Sequence, residues 1–520
     1  MPCLPGPVRL PACLWAVCLL PGCPGPGLQG PPPLPVQRFA EAQPAPARPD
    51  RERLLEAVPE LRQRLKDWFA QGQAPGLAFG VVTPEGRLWS LGLGLAGLED
   101  GEPVTGHTLF AIGSLTKTFT GLTALALRDR GLLDLDEPLE RWVPELGRVL
   151  YPTRDSPRIT LRHLVTHTSG LPRVGRLEYT DPARPPGEAE LFAALDGQRL
   201  EAAPGTRTSY SNLGMAVAGV ALARAGGKPL RELLREQVLE PLELGETTFD
   251  PEDRPDRSLA RGYAPRDGTF EAQAPWAMGA AEGMGGLWSS LEDMTRFAAF
   301  QLRAWPPRDE PDPGPVARAS VRESHLPAGP TRPDGQLFGV NWVTLSHPEQ
   351  GWVVTHAGGT ATHAAVVWLL PERGLGVVLL ANAGGELPQR LTGLAQVLTA
   401  LLLDRLPAPA ADLGPDLTGA LARVQALLAD PDAATDAALE ALLHPSFRKA
   451  IPDERLRKLL REVHDQAGAC PEARPLRALG EHAAVIRLGC ERGQIDLTLH
   501  LEADPPHRAT GLGLGPVGSR

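Results

Sequence analysis

The sequence predicts a mixed α/β (α+β) protein: an antiparallel sheet flanked by N- and C-terminal helices, a large helical insertion within it, and a small C-terminal α+β domain. Three observations predict this. A helix-then-hairpin pattern starting near residue 51 is answered by three strand-like runs and a helix between 351 and 401, so one sheet can draw on both ends of a domain. The stretch between, from about 100 to 335, holds helical runs. After a Pro- and Ala-rich break near 407, helical patterns give way to alternating strands.

At 520 residues the chain is long enough for two or three domains. Hydrophobic content of 42% and charged content of 22% are ordinary for a globular protein, while 55 Pro and 56 Gly imply long ordered loops and linkers. A net charge of -10 argues against nucleic acid as the natural partner.

Residues 1–27 hold the apolar run Leu14–Leu20, preceded by Arg9 and followed by Pro and Gly, the layout of a secretory signal. The run is too short to span a bilayer comfortably. Leu20-Pro-Gly-Cys23 resembles a bacterial lipoprotein signal, with a proline where a small residue is usual; lipidation of Cys23, which would attach the protein to a membrane, and simple cleavage both stay open. Four of the six cysteines lie in this leader, so the body is no disulfide scaffold, and no spacing suggests a metal site. Residues 28–50, rich in Pro, Ala and Gln, read as a tether.

The fold is expected over 51–405. Leu54, Leu55, Val58, Leu61 and Leu65 make an amphipathic helix ending before Gly72, and Leu77 to Leu95 gives two strands around Pro84-Glu-Gly86. Trp352–Thr355, Ala364–Leu370 and Gly376–Leu380 read as three more strands, followed by a helix carrying Leu391, Leu394, Val397, Leu398 and Leu401.

The chemistry centres on Ala111–Thr120. Ser114 and Lys117 stand three residues apart at a helix start, on one helical face. Leu115, Phe119, Leu122 and Ala126 recur at helical spacing and Gly131 supplies a stop, so about Ser114 to Arg130 reads as a buried helix. A serine hydroxyl attacks a carbonyl only when a neighbour takes its proton, and a helix N-terminus favours an oxyanion beside it. Alone, this pattern is weak: a solvated helix with a chance serine and lysine explains it better.

Two further constellations change the balance. Tyr210-Ser-Asn212 follows the turn Pro204-Gly205 and precedes a helical run at Leu213; His356-Ala-Gly358-Gly359 leaves a strand with glycines where a substrate must approach the backbone. With Ser-Leu-Thr-Lys, these motifs resemble, in order and at plausible separations, the SxxK, YxN and KTG/HxG motifs of the serine β-lactamase and penicillin-binding family, specifically its class C, D-alanyl-D-alanine peptidase and esterase branch. Leu164-Val-Thr-His-Thr-Ser-Gly-Leu-Pro172 and Gly283-Met-Gly-Gly-Leu-Trp288 add to the likeness.

The resemblance implies an acyl-enzyme mechanism without cofactor, with Ser114 as nucleophile. Lys117 and Tyr210 would form its base system, the lysine lowering the tyrosine's pKa so that a phenolate accepts the serine proton. Asn212 would bond the acyl amide, and the N–H groups of Ser114 and Gly359 would form the oxyanion hole beside Gly358. His356 would orient the substrate's carboxylate end and relay protons. His167 reads as structural. Taken singly, Tyr210 could be a packed aromatic, Asn212 a helix cap and His356 a satisfied strand histidine.

Replacement of Lys-Thr-Gly by His-Ala-Gly removes a permanent charge, and a partly neutral His356 should hold a carboxylate weakly near neutral pH. The resemblance therefore favours a D-alanyl-D-alanine carboxypeptidase or esterase acting on a small-molecule or peptide substrate, with peptidoglycan as a candidate partner and an exported location. A class C-like β-lactamase and a non-catalytic cell-wall or β-lactam-binding protein remain as alternatives.

Residues 406–415 read as a linker and 416–520 as a separate module, loosely resembling small NTF2-like domains. Helical patterns lie around 417–428, 439–443 and 456–463, and strands at Ala483–Leu488 and Ile495–Leu501. In an exported body Cys470 and Cys490 are expected to pair, contributing roughly 3 kcal/mol; two unrelated buried thiols are the alternative.

Overall fold

The computed structural model describes residues 49–520 apart from 178–183, 255, 267, 276, 309–311, 313, 333–335, 348–349, 407–412, 481–482, 503–505, 516 and 519–520. The leader with Cys23, nearly all of the tether and most of the expected linker lie outside the described residues.

The chain enters through helix α1 (Arg51–Glu56), whose N-cap Asp50 accepts the N–H groups of Glu52 and Arg53, and continues into α2 (Val58–Phe69). The single helix expected here is broken at Ala57. Pro59 has no N–H to give the carbonyl four residues back and so fits only the first turn of a new helix. Leu55 is left 39% exposed, while Leu54, Leu61 and Leu65 are fully buried.

Strands β1 (Gly76–Thr83) and β2 (Gly86–Gly97) form the expected hairpin. After it come α3 (Thr116–Asp129), α4 (Asn212–Gly226) and α5 (Leu291–Arg303), the principal helices of the insertion. The chain then returns to the sheet through β3 (Val343–His347), β4 (Gly351–Gly359), β5 (Ala364–Leu370) and β6 (Leu375–Ala381), and closes the domain with α6 (Leu387–Leu403).

The sheet has eight strands in the order Glu102–Pro103, β2, β1, β6, β5, β4, β3, Leu337–Phe338. The join between the two ends of the domain is the antiparallel β1–β6 pair, in register from Leu77 opposite Ala381 to Val82 opposite Gly376. Side chains alternate between faces. Phe79, Val366, Trp368, Val377 and Leu379 pack under α2 and α6, whereas Ala78, Val82, Val367, Val378 and Leu380 pack against the helical insertion. Burial on both faces explains why β5 and β6 are apolar without a break.

C-terminal to these elements, α7 (Pro415–Ala429), α8 (Asp436–Leu442) and α9 (Asp453–Ala467) precede a four-stranded antiparallel sheet, β7 (Glu472–Gly480), β8 (Ala483–Cys490), β9 (Gly493–Leu501) and β10 (Ala509–Leu514). Leu417, Leu421, Val424, Leu460, Ile486, Leu488, Leu497 and Leu499 share one apolar core. The expected strands are β8 and β9; β7, β10 and a short helix Pro445–Ala450 are additional. Cys470 and Cys490 form a disulfide.

Candidate active site

Ser114 does not begin the α-helix, as the periodicity suggested, but sits in a 3₁₀ turn, Gly113–Leu115, immediately before α3. The turn lets a half-buried Ser114 face the cleft while every residue of α3 from Thr116 to Leu127 is buried. Arg130 caps the helix and Gly131, at φ +70°, ends it as expected. Leu115, Phe119, Leu122 and Ala126 all enter the core.

Lys117 is fully buried, and its Nζ lies 3.1 Å from Ser114 Oγ and donates to the Met284 carbonyl at 2.5 Å. Burial holds the ammonium well below its ordinary pKa, with repulsion from Arg173 adding to the effect. A neutral amine has two hydrogens and one lone pair. With one hydrogen on Met284 O, its lone pair can accept the Ser114 hydroxyl proton across the same contact. The Gly283–Trp288 stretch is strapped along α3: Thr120 Oγ1 donates to the Gly283 carbonyl at 2.7 Å and Leu287 N–H to Thr116 Oγ1 at 3.1 Å.

Strand β4 runs against the Gly113–Leu115 turn with no room for side chains between them. A Cβ on Gly358 would stand 1.9 Å from the Ile112 carbonyl oxygen, and one on Gly113 would stand 2.8 Å from the Gly359 nitrogen. Gly113 itself has φ +50°, in the left-handed region. Only glycines allow this approach, which brings the backbone of Gly358 and Gly359 beside Ser114.

Tyr210 joins the group from a loop held by the 164–173 stretch. Ser209 N–H donates to the His167 carbonyl at 2.8 Å, Ser211 N–H to His167 Nδ1 at 3.2 Å, and Asn212 N–H to the Arg173 carbonyl at 2.7 Å. Lys117 Nζ lies 5.1 Å from the Tyr210 ring centroid. His167, buried and at φ 58°, packs its ring 4.4 Å from that of Tyr210. It is structural in the sense expected, yet it orients the loop on both sides of the tyrosine. Asn212 is not the helix cap: Ser211 Oγ accepts the Gly214 N–H at 2.8 Å, and Asn212 is the first residue of α4.

His356 lies within β4, its ring 6.4 Å from that of Tyr210. Nδ1 contacts the Ala357 carbonyl at 2.9 Å, while Nε2 is buried without a hydrogen-bond partner among the described residues. Burial, with Lys117 adding repulsion, lowers the imidazole to about 3. The partial charge expected near neutral pH is therefore absent, and the ring is neutral across the physiological range.

The structure thus brings Ser114, Lys117, Tyr210, His356, Gly358 and Gly359 to one cleft, with Asn212 at the start of α4 beside it. Sequence reasoning missed the Met284 carbonyl and Arg173, whose guanidinium lies 5.1 Å from the Tyr210 ring. Arg173 directly follows the Leu171-Pro172 pair that ended the family-like stretch, the one signal that could have flagged it.

A serine on a turn and a lysine on the helix that follows it, set between an antiparallel sheet and a helical insertion, define a serine hydrolase of the serine–lysine type. The chain belongs to the β-lactamase family: the family model described as Beta-lactamase matches residues 53–401. It is 28% identical over 356 residues to a β-lactamase of Escherichia coli (strain K12), covering 64% of this chain and 90% of that protein. It is 30% identical to the D-alanyl-D-alanine-carboxypeptidase/endopeptidase AmpH of the same organism, covering 52% of this chain and 70% of the relative. Esterase EstB of Burkholderia gladioli is 31% identical, with 59% and 86% covered. Among solved structures, the octameric penicillin-binding protein homologue from Pyrococcus abyssi shares the fold with a TM-score of 0.57 at 20% identity, over 86% of this chain and 91% of that one. The protein is a β-lactamase-related serine hydrolase with carboxypeptidase and esterase relatives.

Proposed function

We propose that this enzyme hydrolyses a peptide, amide or ester bond through an acyl-enzyme on Ser114, in the manner of a D-alanyl-D-alanine carboxypeptidase or esterase. The observation that carries the reading is the buried Lys117 amine, 3.1 Å from Ser114 Oγ and with its pKa lowered by burial. In this mechanism Lys117 takes the hydroxyl proton as Ser114 attacks the acyl carbon. The resulting ammonium is relieved by passing the proton, by way of Tyr210, to the leaving group. This departs from a base in which a charged lysine sustains a tyrosinate, because burial favours the neutral amine. The N–H groups of Ser114 and Gly359 receive the oxyanion, and the close approach of β4 to the 113–115 turn supports that role.

A neutral His356 supports peptidase or esterase chemistry over efficient β-lactam turnover, since it cannot hold the antibiotic carboxylate by charge. Export, proposed from the leader pattern, is supported by the Cys470–Cys490 disulfide. Among the described residues no helix is long and apolar enough to cross a membrane. Attachment through Cys23, peptidoglycan as the physiological partner and independence of the 416–520 module remain parts of this proposal. Intact-mass spectrometry after incubation with a penicillin, a D-alanyl peptide and activated esters tests the chemistry. An adduct of the acyl mass is expected on the wild type and not on Ser114→Ala; equal labelling of both proteins would refute it.

A further inference from the structure

Charge in the cleft is unbalanced. Among the described residues, the charged side chains that shift Lys117, His167 and His356 are basic: Arg173 acts on Lys117 and His167, Arg332 and His356 act on His167, and Lys117 acts on both histidines. No carboxylate figures among them. Elsewhere in the helical insertion, arginines are answered by acids: Arg162 by Asp136 and Glu323, Arg224 by Glu145 and Glu188, Arg231 by Asp250 and Glu282. The Arg173 guanidinium is the exception at the cleft. It is exposed, lies over the half-buried Tyr210 ring, and makes no ion pair or hydrogen bond with any described residue.

Its position along the cleft is fixed by its own backbone. The Arg173 carbonyl accepts the N–H groups of Asn212 at 2.7 Å and Leu213 at 3.2 Å, so the residue is tied to the Asn212 side of the site and not to β4. Asn212 is the residue assigned above to the acyl portion of the substrate, while β4 carries His356. A guanidinium presents a planar fork of donors that matches a carboxylate, and among the described residues no acid in the cleft satisfies it.

We infer that Arg173 is a specificity-determining residue that binds an anionic group, a carboxylate or an equivalent oxyacid, on the acyl half of the substrate. This deepens the hydrolase reading and rests on it. The substrate class it implies is an ester or amide whose acyl chain ends in an acid, with the acid held away from the leaving group. The cation at this site stands on a loop at the acyl side, whereas His356 on β4 supplies none.

The test compares 4-nitrophenyl hydrogen glutarate with 4-nitrophenyl hexanoate, which share a leaving group and differ in acyl-side charge. A second pair, 3-acetoxybenzoate and phenyl acetate, places the carboxylate in the leaving group. The kcat/KM ratio within each pair is read for wild type, Arg173→Ala and Arg173→Lys. The wild type is expected to favour the glutarate ester, Arg173→Ala to lower that ratio about 10-fold or more, and Arg173→Lys to retain much of it. The leaving-group ratio should not follow. An unchanged glutarate ratio in Arg173→Ala, or an equal fall in both ratios, would overturn the inference while leaving the hydrolase reading intact. A wild type that turns over none of the four esters would overturn both.

Discussion

Replacing Lys117 by methionine should disable the enzyme and change how its stability depends on pH. Methionine nearly matches the lysine stem in volume, so packing in the fully buried site is kept while the titratable group is removed. The folded pKa of Lys117 is depressed by burial, so between that pKa and the unfolded value near 10.4 the unfolded chain binds a proton that the folded site does not. In that window wild-type stability rises with pH, and it loses about 1.4 kcal/mol for each unit of pH fall. Lys117→Met lacks this dependence. It also leaves the Met284 carbonyl without its donor, a cost of about 1–3 kcal/mol that does not vary with pH. The diagnostic is therefore the slope and not the offset. Urea midpoints of both proteins, measured at intervals up to pH 10, should show the stability of the variant relative to wild type falling by about 1.4 kcal/mol per unit as pH rises. Ester turnover by the variant should drop by about 10²–10⁴ at every pH. A difference in stability that is flat across alkaline pH would mean that Lys117 is charged when folded, and wild-type turnover would remove it from the chemistry.

Gly358→Ala should cost about 10²-fold or more in kcat with little change in overall fold, because its Cβ would meet the Ile112 carbonyl oxygen at 1.9 Å and force β4 away from the nucleophile turn; crystallography and steady-state kinetics check both parts, and normal kcat would refute the packing argument. His356→Lys should raise the rate on carboxylate-bearing β-lactams relative to neutral esters by about 10-fold, read from competing substrates, since it restores a cation on β4; an unchanged ratio would show that this position does not face the substrate's acid. Reduction of Cys470–Cys490 should lower the stability of the C-terminal core by roughly 3 kcal/mol and leave Ser114 acylation unchanged. Calorimetry with and without reductant would show the loss, and coincident loss of acylation would contradict it.

How much was legible follows from what each element buries. Strands β5 and β6 bury every side chain, so their apolar runs stand out without any knowledge of their partners. Edge strands do not: Leu337–Phe338 and Glu102–Pro103 span two residues each, too short for a period to register. Strand β7 carries Pro475 on a sheet edge, where the missing N–H is harmless to pairing yet makes the segment read as a loop. In the site, Ser114 and Lys117 are three residues apart and spacing alone joins them. The Met284 carbonyl that positions the lysine is 167 residues away, and main-chain acceptors carry no sequence signature. Arg173 was hard to read for a different reason, because an exposed arginine is ordinary in a sequence and, beyond its place after Leu171-Pro172, only the lack of an acid partner among the described residues sets it apart.

The seam between β1 and β6 has a consequence for how the chain comes into being. Gly76 N–H is held by the side chain of Asn382, 306 residues further on, at 2.7 Å, and the whole β1–β6 register closes at that range. Synthesis at about 5–20 residues per second leaves roughly 15–60 s between the appearance of β1 and that of its partner. Through that interval the first hairpin offers Leu77, Phe79 and Val81 and an unpaired strand edge to whatever is nearby. The helices that carry Ser114 and Lys117 are complete long before the strand that must lie against them. Ser114 therefore gains its neighbours Gly358 and Gly359 among the last contacts to form, and a nascent chain halted anywhere before residue 359 lacks the Gly359 N–H proposed to receive the oxyanion.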